Sequence, residues 1–401
     1  MFMRIRKLLT AMLVCLFVVF LAASEGHAQK KGYDDKQIRI GQWGPQTGPA
    51  ASWGAVARGS RLVFDMVNEE GGIHGRQIRY FIRDDQYSPS QTIAGVRNLV
   101  DRQGVLAFVG GVGSAPAMAV RNYLQRNKII WVGVVAGAKA LREPHNPYLW
   151  CMWPSYEDDA SVMAKFLVET KKFKKIGMLY QNDDYGLDPL AAVQRRLKSY
   201  NMELAAAVSV EPTESDLFSQ VARLKAARVD AVIGYVAPKQ GAIALRNAVS
   251  IGFRPQWIHS FNLCDFTYMN HITEGLWAKE KVMTTAFTED VFDMSIPVIK
   301  RYHDAAKRIA PGERWGIFYA AGIYAAEPLV HALQKVGRDL SEDALINELN
   351  KITKFKGIGP EITWTSTNHL PPMAFRIWQS GPRGEVIVIQ DWTENNLSNR
   401  E

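Results

Sequence analysis

One serine in this chain is placed to bind an oxyanion. Ser114 follows an apolar run that ends in glycine, and Ala115 and Pro116 come next, which predicts a helix beginning at the serine. The free N–H groups and the dipole of a helix N-terminus favour a carboxylate there. The flanking loop residues are mostly small and would leave backbone open to a ligand: Gly110, Gly111, Gly113, Ala115, Val135, Ala136, Gly137 and Ala138. A capping role alone is the alternative for Ser114.

Two short apolar runs position this serine. The segments LAFVG (106–110) and IIWVGV (129–134) are too short for core helices, so they are predicted to be buried parallel strands joined by a helix. Loops at the carboxyl ends of neighbouring strands border the ligand crevice of an open α/β sheet. We therefore expect the loops at 110–115 and 135–138 to lie side by side.

Strands and helices alternate along the rest of the chain, which predicts the α/β class with two doubly wound, Rossmann-like lobes. The aromatic-rich segment 149–155 is predicted to cross between the lobes. The last third of the chain is long enough to return to the first lobe and then cross back to the second. Three such crossings would form a hinge above a cleft, where small ligands usually bind. The predicted boundaries are 34–153 plus 284–362 for the first lobe, and 154–283 plus 363–392 for the second.

The N-terminus has the pattern of a secretory signal peptide. Basic residues precede an apolar run at 8–23, and a small and polar stretch follows it, so we predict a signal peptide at 1–28 that is cleaved after Ala28. An uncleaved anchor is the alternative, but the run is shorter than the roughly 20 residues that a helical span needs. Cleavage removes three basic residues and one acidic residue, which lowers the formal charge from +8 to +6. The mature chain is expected to be periplasmic.

Several classes of function are disfavoured by the sequence. No dense basic tract with interleaved aromatic residues points to nucleic acid, and no metal-ligand cluster or cofactor motif is present, so neither metal nor cofactor is expected. A dinucleotide fingerprint would need a glycine at Pro116 and an acid downstream, but the segment 102–142 contains no acid. We expect no enzyme activity. Cys151 and Cys264 could pair in an oxidising compartment, but two free buried thiols are the prediction.

Four motifs give the chain a family resemblance. They are GQWGPQTGP (41–49), NEEGGIHGR (68–76), RDD (83–85) with Pro89 beyond it, and NDDYG (182–186). Their order and spacing behind a predicted signal peptide resemble the type I periplasmic solute-binding proteins of ABC importers, in the branched-chain amino-acid branch. The resemblance implies two lobes joined by three strands, which close on a small molecule and deliver it to a membrane permease. A monomer is expected.

The resemblance also implies positions for the ligand contacts. The family's aromatic residue, central-strand hydroxyl and backbone groups, and tyrosine before glycine fall on Trp53, Ser114, Ala136 and Tyr185. The family's acidic residue, which pairs with the ammonium group of an amino acid, falls on Phe261. A buried ammonium without a carboxylate partner would be strongly disfavoured.

The predicted ligand is therefore an aromatic or otherwise apolar monocarboxylate of the benzoate or phenylpropenoate type. Its carboxylate would bind at Ser114 and the neighbouring amides, and its flat body would lie between aromatic side chains. Tyr235 and Trp43 are further candidates for side chains that contact the ligand's flat body. Two alternatives stay open: a branched-chain or other amino acid, if Asp265 or another acid replaces the missing carboxylate, and a sensor domain that presents an amide or acid to a separate kinase.

Overall fold

A parallel five-stranded sheet forms the first lobe of the protein. The structure is a computed structural model that describes residues 32–48 and 50–397, so the predicted signal peptide lies outside the described residues. Its strand order is β2-β1-β3-β4-β5, the doubly wound order that the alternation predicts. The strands are β1 (Gln37–Gly44), β2 (Gln77–Asp84), β3 (Ala107–Val109), β4 (Ile130–Val134) and β5 (Leu149–Cys151).

A seven-stranded sheet of order β12-β11-β10-β9-β8-β6-β7 forms the second lobe. Five of its strands are parallel, whereas β11 is antiparallel to both of its neighbours. The strands are β6 (Ile176–Gln181), β7 (Ala206–Val210), β8 (Ala231–Tyr235), β9 (Gln256–His259), β10 (Met283–Ala286), β11 (Ala374–Ser380) and β12 (Val386–Glu394). These two sheets confirm the predicted α/β class and its two lobes.

Helices cover both lobes. Those of the first lobe are α1 (Ala55–Glu69), α2 (Pro89–Asn98), α3 (Ser114–Arg126), α4 (Lys139–Arg142), α11 (Pro297–Ile309), α12 (Ile317–Val336) and α13 (Glu342–Leu349). Those of the second are α5 (Tyr156–Lys165), α6 (Asp184–Lys198), α7 (Phe218–Ala226), α8 (Pro238–Ser250), α9 (Phe266–Ile272) and α10 (Leu276–Lys279). Helix α3 begins at Ser114, as predicted. Helix α6 begins at Asp184, because the Asp183 carboxylate accepts the Tyr185 N–H at 3.0 Å and caps it there.

The chain crosses between the lobes at 152–155, 287–296 and 363–373. Segment 149–151, predicted as part of the first crossing, is instead the edge strand β5 of the first sheet. The predicted boundary at 284 falls inside β10, which pairs with β9 and β11, so the second crossing follows Ala286. Cys151 and Cys264 are free and buried, as predicted. Among the described residues no helix has the length and apolar character to cross a membrane.

Two glycines let α1 and α12 pack with their backbones in contact. A Cβ added at Gly59 would overlap the Tyr319 carbonyl oxygen, and one added at Gly322 would overlap that of Val56. The Ser60 hydroxyl donates across the contact to the Gly322 carbonyl at 2.9 Å. Because a packed interior leaves no room for an added methyl group, this contact depends on glycine at both positions.

Replacing Gly322 with alanine should destabilise the first lobe. We expect the free energy of unfolding to fall by about 1–3 kcal/mol, because the helices must separate to accept the methyl group. Calorimetric melting would show this as a lower Tm. Gly312→Ala is the matched control, since a Cβ there meets no atom within 4 Å. Equal Tm values for the two variants would contradict the close packing of these helices.

Candidate functional site

A cavity of about 150 Å³ lies between the two lobes, at the carboxyl ends of the parallel strands. Its first-lobe wall comes from the loops after β1, β2, β3 and β4. Its second-lobe wall comes from the start of α5, the end of β6 and the loops after β6, β7, β8 and β9. The lining residues are Ala50, Trp53, Gln86, Tyr87, Val112, Gly113, Val135, Tyr156, Gln181, Tyr185, Pro212, Thr213, Glu214, Ser215, Val236, Ala237, Pro238, Lys239, Gln240 and Asn262.

Trp53 and Tyr185 form opposite aromatic walls. Trp53 lies in a short 3-10 turn before α1 and packs against Phe318, with ring centroids 4.4 Å apart. Tyr185 lies in the first turn of α6, and its hydroxyl is 3.1 Å from Ser260 Oγ and accepts a hydrogen bond from Asn262 Nδ2 at 3.3 Å. Burial raises the pKa of the Tyr185 hydroxyl far above its usual value, so it stays a neutral donor.

Tyr87 forms a third wall, and the Asp84-Asp85 pair positions it. The Asp85 carboxylate accepts the Tyr87 N–H at 3.0 Å and the Thr92 hydroxyl at 2.8 Å. Tyr87 has φ of +62°, a conformation that costs a non-glycine residue energy and that these hydrogen bonds hold in place. Its ring lies so close to Gly113 that a Cβ there would overlap it. The motif that suggested the family therefore builds part of this cavity.

Tyr156 forms the fourth aromatic wall and reaches from the second lobe to the first. It is the first residue of α5, and its N–H donates to the Gly137 carbonyl at 3.2 Å. Its hydroxyl lies beside the Gly137 N–H, the Ser114 side chain and the Asn262 side chain, and burial raises the pKa of this phenol. Ser114 is 1% exposed, and its Oγ has no hydrogen-bond partner of good geometry among the described residues.

Four of the ten predicted contact residues line the cavity: Trp53, Gly113, Val135 and Tyr185. Four others do not line it: Ser114, Ala115, Ala136 and Gly137. Ser114, Ala136 and Gly137 are buried, and the Tyr156 ring packs against Gly137.

Tyr235 and Phe261 are fully buried beneath the cavity. The Tyr235 hydroxyl donates to the Asp159 carboxylate and lies 3.1 Å from the Tyr156 carbonyl oxygen. The Phe261 ring packs at 4.8 Å from Phe287. Trp43, the other candidate wall, lies in the first-lobe core, 4.9 Å from the Trp131 ring.

Sequence reasoning missed several residues that line the cavity. Tyr87 and Tyr156 supply half of its aromatic wall, and Gln181 and Asn262 supply amide groups. The loops at 212–215 and 236–240 complete the second-lobe wall. Only their position in the sequence points to these two loops, because each follows a predicted strand of the second lobe.

Two charged side chains line the cavity, and they differ in their hydrogen bonding. Lys239, in the first turn of α8, is the one cation that lines it and forms no ion pair among the residues described. Glu214 is the one carboxylate, and its oxygens already accept hydrogen bonds from the Gln220 amide and from the Glu211 N–H. Asp265, the proposed substitute acid, lies elsewhere: Arg314 pairs with both of its oxygens, at 2.9 and 3.0 Å.

Metal binding finds no support in the described part of the chain, where no three His, Cys, Asp or Glu side chains come together as a ligand set. The cavity instead offers rings, amides, one ammonium group and one carboxylate, which suit recognition of an organic molecule.

Comparison with known proteins gives one consistent family. The model of a family described as periplasmic binding protein matches residues 37–385. The leucine-specific-binding protein of Salmonella typhimurium is 25% identical over 376 residues, which cover 93% of this chain and 97% of that protein. The Leu/Ile/Val-binding protein of Escherichia coli strain K12 is 24% identical over 345 residues, covering 86% of this chain and 90% of that protein.

A solved structure agrees in fold. The fatty acid ABC transporter substrate-binding protein from Thermomonospora curvata superimposes with a TM-score of 0.83 and 22% sequence identity. The match covers 93% of this chain and 96% of that one. At this identity the likeness concerns the two-lobed architecture.

The carboxylate of Asp159, beneath the cavity, should make stability depend on pH. It is fully buried, and burial raises its pKa from 3.8 to about 7. The unfolded chain therefore releases the Asp159 proton at a lower pH than the folded chain does. The free energy of unfolding should fall as the pH rises from about 4 to about 7. We expect Asp159→Asn to show a smaller drop in Tm between pH 4.5 and pH 8 than the unchanged chain, measured by calorimetry.

Asp35→Asn, at an exposed carboxylate, is the control and should keep the full pH dependence. Some pH dependence should remain in Asp159→Asn, because burial also raises the pKa of Glu327 to about 7. Identical pH profiles for Asp159→Asn and the unchanged chain would contradict this role of Asp159.

Proposed function

Because this chain belongs to the periplasmic binding protein family, a family of solute-binding proteins and not of enzymes, we propose that it is the solute-binding component of an ABC importer for small monocarboxylates with an apolar, ring-bearing body. One observation carries the proposal: the cavity between the lobes is walled by aromatic rings and lined by the Lys239 ammonium, which forms no ion pair among the described residues, and by one carboxylate, Glu214, whose two oxygens each already accept a hydrogen bond.

The aromatic walls support a flat ligand body. An apolar cavity of about this volume holds one benzene-sized ring. A ring placed between Trp53 and Tyr185 would make offset or edge-on contacts, each worth on the order of 1 kcal/mol beyond the burial of its surface. The amides of Gln181 and Asn262 would accommodate a polar substituent.

The hydrogen bonding of the two charged side chains supports a carboxylate over an α-amino acid. The Lys239 ammonium forms no ion pair among the described residues and can pair with an anion, whereas each oxygen of Glu214, the carboxylate that an ammonium group would meet in the cavity, already accepts a hydrogen bond. Several relatives carry leucine or branched-chain amino acids in their names. We propose that this chain differs from them in the ligand it binds and resembles them in how it binds.

The two-lobed site supports a transport role. Since both lobes line the cavity, a ligand that contacts both stabilises the closed form by its differential affinity for that form. A permease in the membrane would then recognise the closed pair of lobes. The predicted signal peptide at 1–28 fits delivery to the periplasm, where such a protein would meet its permease.

The ligand class can be tested by titration calorimetry with benzoate, p-coumarate and leucine. We expect at least one aromatic carboxylate to bind and leucine to bind more weakly, because the carboxylate that lines the cavity, Glu214, already accepts a hydrogen bond at each oxygen. Cyclohexanecarboxylate is the matched control for ring planarity and should bind more weakly than benzoate. Tight leucine binding without aromatic carboxylate binding would overturn the ligand proposal and leave the family unaffected.

Lys239→Met should weaken binding of the carboxylate and spare its neutral analogue. We expect a loss of about 1–2 kcal/mol for the best aromatic carboxylate, because a charge-assisted hydrogen bond at an exposed cation is removed. The corresponding amide should lose little, and Lys239→Arg should retain most of the affinity. Equal losses for acid and amide would mean that Lys239 does not recognise the charge.

A further inference from the structure

Tyr156 occupies the junction of the two lobes. It begins the second lobe's first helix, yet its side chain lies on the first lobe. A Cβ added at Gly137 would be 3.0 Å from Cδ1 and 3.1 Å from Cε1 of this ring, and it would overlap the Pro154 carbonyl oxygen. Tyr156 is 3% exposed, and its ring is 5.1 Å from that of Tyr185. The ring is therefore fixed between Gly137 and the aromatic wall.

The Tyr156 ring covers a position whose polar groups suit an oxygen-bearing group. It combines the start of α3, whose first N–H groups have no acceptor within the helix, with the buried Ser114 Oγ, which makes no hydrogen bond of good geometry among the described residues. A buried hydroxyl without a hydrogen bond is disfavoured, so these groups favour an incoming oxygen. The Tyr156 hydroxyl lies beside them.

We propose that Tyr156 is a specificity-determining residue that fills this oxyanion position from within the chain. The ligand, taken from the proposed function, then lies with its ring against Tyr156 and Tyr185 and its carboxylate toward Lys239. A ligand that directs its carboxylate to Ser114, as the sequence alone predicts, is excluded because the phenol occupies that space.

Lys239 suits the opposite end of the ligand. It lines the cavity and also the adjoining groove between the lobes, whose other lining residues include Ala51, Arg246 and Tyr268. Arg246 adds a second cation there, and no acidic residue lines that groove. The open end of the site is therefore positive, and its closed end is sealed by the phenol.

The test compares the effect of Ser114→Ala with and without the Tyr156 ring. In the chain with Tyr156, we expect Ser114→Ala to leave the Kd of 4-methylbenzoate within about twofold, since the acid group is distant from Ser114. In Tyr156→Gly, which leaves a phenol-sized space, the same serine change should weaken 4-methylbenzoate by about tenfold, because its carboxylate now reaches Ser114. Titration calorimetry measures both.

Two controls separate this role from simple packing. Neutral p-cresol should bind Tyr156→Gly more tightly than the unchanged chain, and Ser114→Ala should not alter its Kd beyond about twofold. Tyr156→Phe keeps the ring and should show no Ser114 dependence. A purely structural role for Tyr156 would lower stability in Tyr156→Gly without making carboxylate binding depend on Ser114.

Two results would overturn the proposal: a tenfold loss on Ser114→Ala with Tyr156 in place, or no Ser114 dependence after the ring is removed. If Tyr156→Gly does not fold, the serine variant of the otherwise unchanged chain still decides the first of these. If the unchanged chain binds no aromatic carboxylate, the proposed function fails, while the Tyr156→Gly titration still tests the oxyanion position.

Discussion

The close approach of two backbone segments at Gly137 is the contact on which the site depends. There the loop after β4 meets the first crossing between the lobes, and the Pro154 carbonyl oxygen and the Tyr156 ring leave no space for a side chain. The hydrogen bond from the Tyr156 N–H to the Gly137 carbonyl fixes the start of α5 against the first sheet. The position of the Tyr156 ring follows from this contact.

Apolar packing continues from one lobe to the other through the same crossing. Trp153 is buried there, with ring centroids 6.0 Å from Trp53, 5.5 Å from Phe261 and 5.1 Å from Phe287. This explains why Phe261 is aromatic where the resemblance implies an acid: its ring belongs to the packing beneath the cavity. A carboxylate at that position would be surrounded by rings and would lack a partner.

A second connection between the lobes is polar. Asp265, in the second lobe, caps α9 through the Tyr268 N–H at 2.9 Å, pairs with Arg314 of the first lobe and accepts the Ile317 N–H at the start of α12. This fully buried Asp265 carboxylate has hydrogen-bond partners in both lobes. Losing any one of them would leave its buried charge incompletely compensated. The cavity thus lies between an apolar junction at Trp153 and an ionic junction at Asp265.

The sequence by itself determined the α/β class, the two doubly wound lobes, the strands within 106–110 and 129–134 and the helix that begins at Ser114, because hydrophobic periodicity and glycine or proline breaks act over a few residues. It also named four residues that line the cavity: Gly113 and Val135, because parallel strands bring their loops to one edge of a sheet, and Trp53 and Tyr185, through the family resemblance. Only the tertiary structure decided that β10 belongs to the second sheet, that Tyr156 lies beside Ser114, and that Tyr235 and Phe261 are fully buried. These positions depend on how closely the lobes approach and on which way each side chain points. Both are set by contacts between residues far apart in the chain, such as Gly137 with Pro154 and Asp265 with Arg314, which no local pattern records.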